Sequence, residues 1–145
     1  SGYSSWKGMV ESKWETLSKY KFCVCYENMQ NQNGYITEKI FDCLIAKCVP
    51  IYWGASNIDA YIPKDCFIDR RQFSSNQEMY DYLVSIDEET YRKFLISAQE
   101  YLDSPESKQF SVDQFVKLVM EQLKQKNAEN KTVGLSLPYL RQTSR

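Results

Sequence analysis

The residues best suited to chemistry fall in one stretch of the chain: Glu27-Asn28, then Tyr35, then the adjacent pair Glu38-Lys39, and then Gly54. A carboxylate can accept two hydrogen bonds from the vicinal hydroxyls of a ribose, and an ammonium can neutralise a phosphate. Glu38 and Lys39 stand at the start of a helical pattern, where unpaired N–H groups and a partial positive charge favour an anion. Glu38 suits that dipole. Lys39 opposes it, which makes sense when an anion sits nearby. The pair therefore reads as a sugar grip beside a phosphate grip. Each residue also has a plainer reading. Glu38-Lys39 could be an ordinary solvated first turn, Asn28 a turn cap, Tyr35 a hydrophobic staple and Gly54 a chain reversal.

Other chemistries are excluded by composition. The chain has no histidine, which removes Ser-His-Asp and Cys-His nucleophiles and the commonest transition-metal ligand. Acid–base work must use carboxylates, tyrosine or lysine. The five cysteines show no Cys-x-x-Cys spacing and lie in apolar runs, so a reduced, cytoplasmic setting is expected. Cys23 and Cys25 share one strand face and could form half a metal site. With no second pair, core packing is the better reading, and neither a metal nor a cofactor is expected.

The elements that position these residues follow from periodicity. Across 145 residues, 43% are hydrophobic and 14% aromatic, enough for a real core. A helix is expected from Met9 to Ser18 on the spacing of Val10, Trp14 and Leu17. Lys21 to Tyr26 is apolar on both faces, as in a strand of a parallel sheet. It ends at Glu27-Asn28 and a polar loop closing on Asn33-Gly34. Tyr35 to Lys47 carries Ile36, Ile40, Phe41, Leu44 and Ile45 on one helical face. A strand follows from Val49 to Trp53, then a turn within Ser56 to Tyr61 and a short strand from Cys66 to Asp69. Three helices complete the pattern: Ser75 to Ile86, Glu88 to Leu102 and Ser111 to Lys126, with Asp87 and Ser111 as N-caps. Tyr52-Trp53 reads as core and rim, and Asp69-Arg70-Arg71 as a solvated turn. Only three strands are evident, so either another lies in the first eight residues or something outside the chain covers the sheet edge.

The domain is expected over residues 1–126, with a loose basic tail at 127–145. Lys124, Lys126, Lys131, Arg141 and Arg145 face only Glu129 from Lys124 onward. That excess could touch an anionic membrane surface, although a solvated tail explains it as well. Overall, 18 basic residues balance 19 acidic ones, a net charge of −1, so no nucleic-acid partner is expected. No stretch of about 20 apolar residues spans a membrane. Asn130-Lys131-Thr132 fits a glycosylation triplet, a common chance occurrence.

Four segments carry a family resemblance: Tyr20-Lys21-Phe22, Tyr26-Glu27-Asn28, Gly34-Tyr35-Ile36-Thr37-Glu38-Lys39-Ile40-Phe41 and Val49-Pro50-Ile51-Tyr52-Trp53-Gly54. In order, spacing and identity they resemble the donor-binding segment of the α1,3/4-fucosyltransferases, closely from Tyr20 to Phe73. The resemblance implies an α/β fold, a Rossmann-like parallel sheet with flanking helices that forms the C-terminal half of a GT-B glycosyltransferase. It implies an inverting enzyme that moves fucose from GDP-fucose to a hydroxyl of an oligosaccharide acceptor containing N-acetylglucosamine or glucose. Carried over, Glu38 would hold ribose or donor sugar and Lys39 the diphosphate. Tyr35 and Asn28 would hold the nucleotide, and Glu27 the fucose side, with Thr37 and Gly54 inside the same donor-binding motifs.

The family's catalytic base and a phosphate-binding arginine belong upstream, and neither is found in these residues. A missing N-terminal domain is therefore an expected partner, and this half alone should transfer nothing. Localisation would be cytoplasmic, peripheral to a membrane, or Golgi in a eukaryote. Two other readings stay open: a non-catalytic nucleotide-binding module, and a transferase for another nucleotide sugar.

Overall fold

The computed structural model describes residues 9–134. Helix α1 spans Lys13–Leu17, strand β1 Phe22–Tyr26, helix α2 Glu38–Ile45 and strand β2 Val49–Trp53. Strand β3 is the short Ile68–Asp69, followed by helices α3 Asn76–Ser85, α4 Glu88–Asp103 and α5 Val112–Gly134. The three strands are parallel in the order β1-β2-β3, with Tyr26 opposite Trp53 and Ile51 opposite Ile68.

Each helix begins where a side chain satisfies its orphan N–H groups. Ser12 caps α1 through Glu15, Ser75 caps α3 through Glu78, and Asp87 caps α4 through Thr90. The cap at Ser12 explains why α1 starts later than the apolar spacing from Met9 suggests. Helix α2 likewise starts at Glu38 rather than Tyr35, because Thr37 is its cap. It ends in a Schellman motif: Cys48 N–H bonds to Cys43 C=O at 3.0 Å and Lys47 N–H to Leu44 C=O at 3.1 Å. Lys47 takes the left-handed conformation there, with φ of 57°.

Strand alternation splits the core into two layers. On one face Cys25 and Tyr52 pack with Ile40, Cys43 and Leu44 of α2 and with Ala98 and Tyr101 of α4. On the other, Val49, Ile51 and Ile68 gather Phe22, Tyr26, Met79 and Leu83. The central β2 is buried from Val49 to Tyr52, as an apolar run predicts. β1 departs from that expectation: Val24 is 57% exposed, and β1 has no second strand partner among the described residues. Among the described residues it is therefore an edge strand.

The chain divides into two units after Ser107. The second begins at Lys108 and includes α5, whose N-cap Ser111 accepts from Gln114 N–H at 3.2 Å. Residues 127–134, expected as part of a loose tail, instead continue this helix to Gly134. The rest of that tail, residues 135–145, and the first eight residues, where a further strand was sought, lie outside the described residues. No described helix is long and apolar enough to cross a membrane.

Candidate functional site

The candidate residues gather where β1 and β2 end and α2 begins. Register places Tyr26 beside Trp53, and the Glu27 N–H extends the ladder to Trp53 C=O at 2.8 Å. The 28–34 loop is then tied to the loop after β2. Asn31 N–H bonds to Gly54 C=O at 2.8 Å and Gly34 N–H to Asn57 Oδ1 at 2.9 Å, while Ser56 bonds to Asn33. Gly34 is required by its φ of 71°.

Lys39 Nζ donates to Asn28 Oδ1 at 2.9 Å and to Tyr26 C=O at 3.0 Å. Its ammonium lies 3.8 Å from Glu27 Oε2, and the Lys39 side chain as a whole is 32% exposed. Glu38 is exposed at the first position of α2, and Tyr35 is half-buried just ahead of the cap. An exposed carboxylate and a held ammonium thus occupy consecutive positions at a helix N-terminus on the C-terminal rim of a parallel sheet. In open α/β sheets that rim is where ligands bind.

Two of the expected site residues are packed into the scaffold. Glu27, expected to face the ligand, has a side chain with no exposed surface. Its Oε1 accepts from Thr37 N–H at 2.9 Å and its Oε2 from Thr37 Oγ1 at 2.8 Å. It is also the anion that makes Lys39 sensible in a first turn, so no bound ligand is needed to explain that lysine. Gly54, expected to touch donor or reverse the chain, is a close-approach glycine. A Cβ there would lie 2.3 Å from Tyr52 Oη and 2.5 Å from Glu27 Cγ. The staple positions around the Thr37 cap fall on Ile36 and Phe41, both packed on the α2-side core, which frees Tyr35 from that role.

Sequence reading missed two supports. Tyr52 turns its hydroxyl inward to accept from Ala55 N–H at 3.0 Å, and burial pushes its pKa up to about 12. Arg71, taken for part of a solvated turn, forks onto Asp69 at 2.7 Å and donates to Ser56 C=O at 3.0 Å, pinning the loop after β2. Burial raises the Asp69 carboxyl, but hydrogen bonds from the Arg71 guanidinium and N–H outweigh it and hold the group below its ordinary value. Inward-pointing hydroxyls and guanidinium forks follow no short-range pattern that could have announced them.

A cavity of about 470 Å³ is lined by Asp59, Tyr61, Asp65, Tyr101 and Glu106 among others, and one of about 200 Å³ by Lys64, Asp69 and Arg71. Neither includes the α2 terminus. At that terminus the polar groups converge on an open rim instead. No cluster of three metal-ligating side chains occurs among the described residues.

A parallel three-stranded sheet with flanking helices, matched by a fucosyltransferase structure, defines the Rossmann-like half of a GT-B glycosyltransferase. The chain belongs to glycosyltransferase family 10 (fucosyltransferase), whose C-terminal region matches residues 2–135. It is 39% identical over 74 residues to the alpha-(1,3)-fucosyltransferase FucT of Helicobacter pylori, covering 51% of this chain and 15% of that one. It is 39% identical over 79 residues to an alpha-(1,4)-fucosyltransferase of Arabidopsis thaliana, covering 51% of this chain and 20% of that one. A crystal structure of alpha1,3-fucosyltransferase with GDP-fucose superimposes with a TM-score of 0.54 at 35% identity, over 59% of this chain and 26% of that one. The matched part is thus between 15% and 20% of the length of these curated relatives.

Proposed function

We propose that this chain is the donor-binding half of an inverting fucosyltransferase that uses GDP-fucose. The observation that carries the reading is the Lys39 ammonium held at the rim by Asn28 and the Tyr26 carbonyl, with Glu38 exposed at the preceding position. Glu38 grips the ribose hydroxyls or the donor sugar. Lys39 meets the diphosphate and offsets the charge that grows on it as the bond to fucose breaks, a contribution of a few kcal/mol in such sites. Tyr35 and Asn28 flank the nucleotide. This reading is supported by the related alpha1,3-fucosyltransferase solved with GDP-fucose.

Inversion needs a carboxylate base on the acceptor hydroxyl, on the opposite face of the sugar from the leaving diphosphate. That base, the oligosaccharide acceptor site and a further phosphate ligand are assigned to an N-terminal domain. Transfer then needs no metal, because Lys39 and the α2 terminus carry the charge stabilisation in this half.

Calorimetry on the full-length protein tests the reading. GDP and GDP-fucose should bind, and Lys39→Ala should weaken GDP by about tenfold or more while leaving guanosine within about twofold. Equal losses for GDP and guanosine contradict the phosphate role. A stronger response to another nucleotide sugar in a panel would replace fucose by that sugar.

A further inference from the structure

Glu27 is the charged side chain buried among the described residues, with 2% of its surface accessible. An ionised carboxylate out of water is strongly unfavourable unless it is paired and hydrogen-bonded. Its compensation comes from one place, the beginning of α2. Thr37 supplies two donors at 2.9 and 2.8 Å, the helix terminus adds its partial positive charge, and the Lys39 ammonium sits 3.8 Å away. The last distance is too long for a hydrogen bond but well within electrostatic reach.

The ammonium has three protons. Two go to Tyr26 C=O and Asn28 Oδ1, and Glu27 lies on a third side. What remains open is the 32% of the Lys39 side chain facing solvent. Three acceptors that all come from the end of β1 therefore fix the direction from which an anion can reach Nζ. Glu27 is itself immobile. Thr37 holds both its oxygens, and its Cγ lies against Gly54, where even a methyl group would not fit.

We propose that Glu27 is a positioning residue of the donor site: it does not touch the donor, and it acts through Lys39 by aiming the ammonium at the diphosphate. This rests on the donor-site reading above and assigns Glu27 a task within it.

The test is a double-mutant cycle in the full-length protein, with GDP as the titrant. Unaltered protein should bind GDP, and Glu27→Gln should weaken that binding by about tenfold or more. In a Lys39→Ala background the same change should matter by no more than about twofold, because its route to the ligand is gone. An equal factor in both backgrounds means Glu27 acts on the fold at large and overturns the proposal. Unchanged or tighter GDP binding by Glu27→Gln overturns it too, since the carboxylate would then be idle or a competitor for the lysine. Should the Gln variant fail to fold, Glu27→Asp keeps the charge and withdraws the carboxylate by one methylene. It should show the same weakening and the same dependence on Lys39, and wild-type affinity in it overturns the proposal. No GDP binding by folded, unaltered protein removes the donor reading and this role together, whereas binding that is indifferent to Glu27 removes this role alone.

Discussion

Both carboxylate oxygens of Glu27 are taken by one residue, Thr37, through its backbone N–H and its hydroxyl. Thr37 is at the same time the N-cap of α2, its hydroxyl facing the Lys39 N–H at 3.5 Å. The hydroxyl therefore joins two tasks, closing the helix and satisfying a buried charge. Thr37→Val keeps the shape and loses both. A lost cap costs about 1 kcal/mol and a lost hydrogen bond to a buried charge about 1.5–3 kcal/mol. Chemical denaturation should show a loss of about 2–4 kcal/mol. Thr37→Ser should stay within about 1 kcal/mol of the unaltered protein. A Val variant as stable as the Ser variant would show that the hydroxyl is dispensable.

Gly54 fails to tolerate even one added carbon. Tyr52 Oη at 2.3 Å and Glu27 Cγ at 2.5 Å from an added Cβ leave no room on either side. Tyr52 is anchored in the core and Glu27 is held by Thr37, so neither can retreat. Gly54→Ala should destabilise the domain by about 3 kcal/mol or more and abolish GDP binding with it. Thermal melts on the full-length protein check this, and a melting temperature within a degree of the unaltered protein refutes the close-approach reading.

How much of this could be read from the sequence depends on the distance over which each feature acts. The bounds of β2 match the apolar run Val49 to Trp53, and of the expected α2 stripe Ile40 and Leu44 are buried, whereas Ile45 is 52% exposed. Asp87 and Ser111 cap the helices they precede. These are local signals. The Glu27–Thr37 contact spans ten residues and depends on β1 delivering Glu27 beneath the α2 cap. No periodicity encodes that. Gly54 was ambiguous for the same reason, since its constraint comes from the inward hydroxyl of Tyr52 and the stem of Glu27. Helix α5 runs past the expected end at Lys126 because apolar periodicity reports burial, whereas Ala128, Glu129 and Lys131 have helix propensity of their own. Val24 shows the converse: an apolar strand residue does not reveal whether its neighbour lies within the same stretch of chain.

Lys47 ends α2 in a conformation suited to glycine. Its φ of 57° closes the Schellman motif, and a side chain there costs about 1 kcal/mol. Lys47 is exposed, and its carbonyl, which accepts from Tyr91 Oη at 3.3 Å, is retained in any substitution. Lys47→Gly should therefore stabilise the domain by about 0.5–1 kcal/mol, part of the relief being offset by the greater freedom of glycine in the unfolded chain. Urea denaturation with an unchanged m-value checks this. A loss of stability would mean the lysine side chain contributes more than its backbone strain removes.

Alkaline pH should unfold this domain through its buried thiols. Burial pushes the Cys48 thiol up to about 12 and the Cys66 thiol up to about 11. An unfolded cysteine ionises near 8.5. For an acid whose folded pKa is raised, the neutral form is favoured by folding, so its contribution is complete below the unfolded value. As pH rises past about 8.5 the unfolded chain sheds protons that the folded chain retains, and stability falls until the folded pKa is reached. Stability should therefore be flat to about pH 8 and decline from about pH 8.5 to about 12, the higher of the two folded values. Cys48→Ala and Cys66→Ala should each flatten part of that decline while lowering stability at pH 7 by the loss of packing. Native thiol labelling at pH 9 should be slow at both positions and accelerate only with unfolding. Stability that stays level through pH 10, or rapid labelling of folded protein at Cys48, would show that these thiols are not enclosed as the core packing requires.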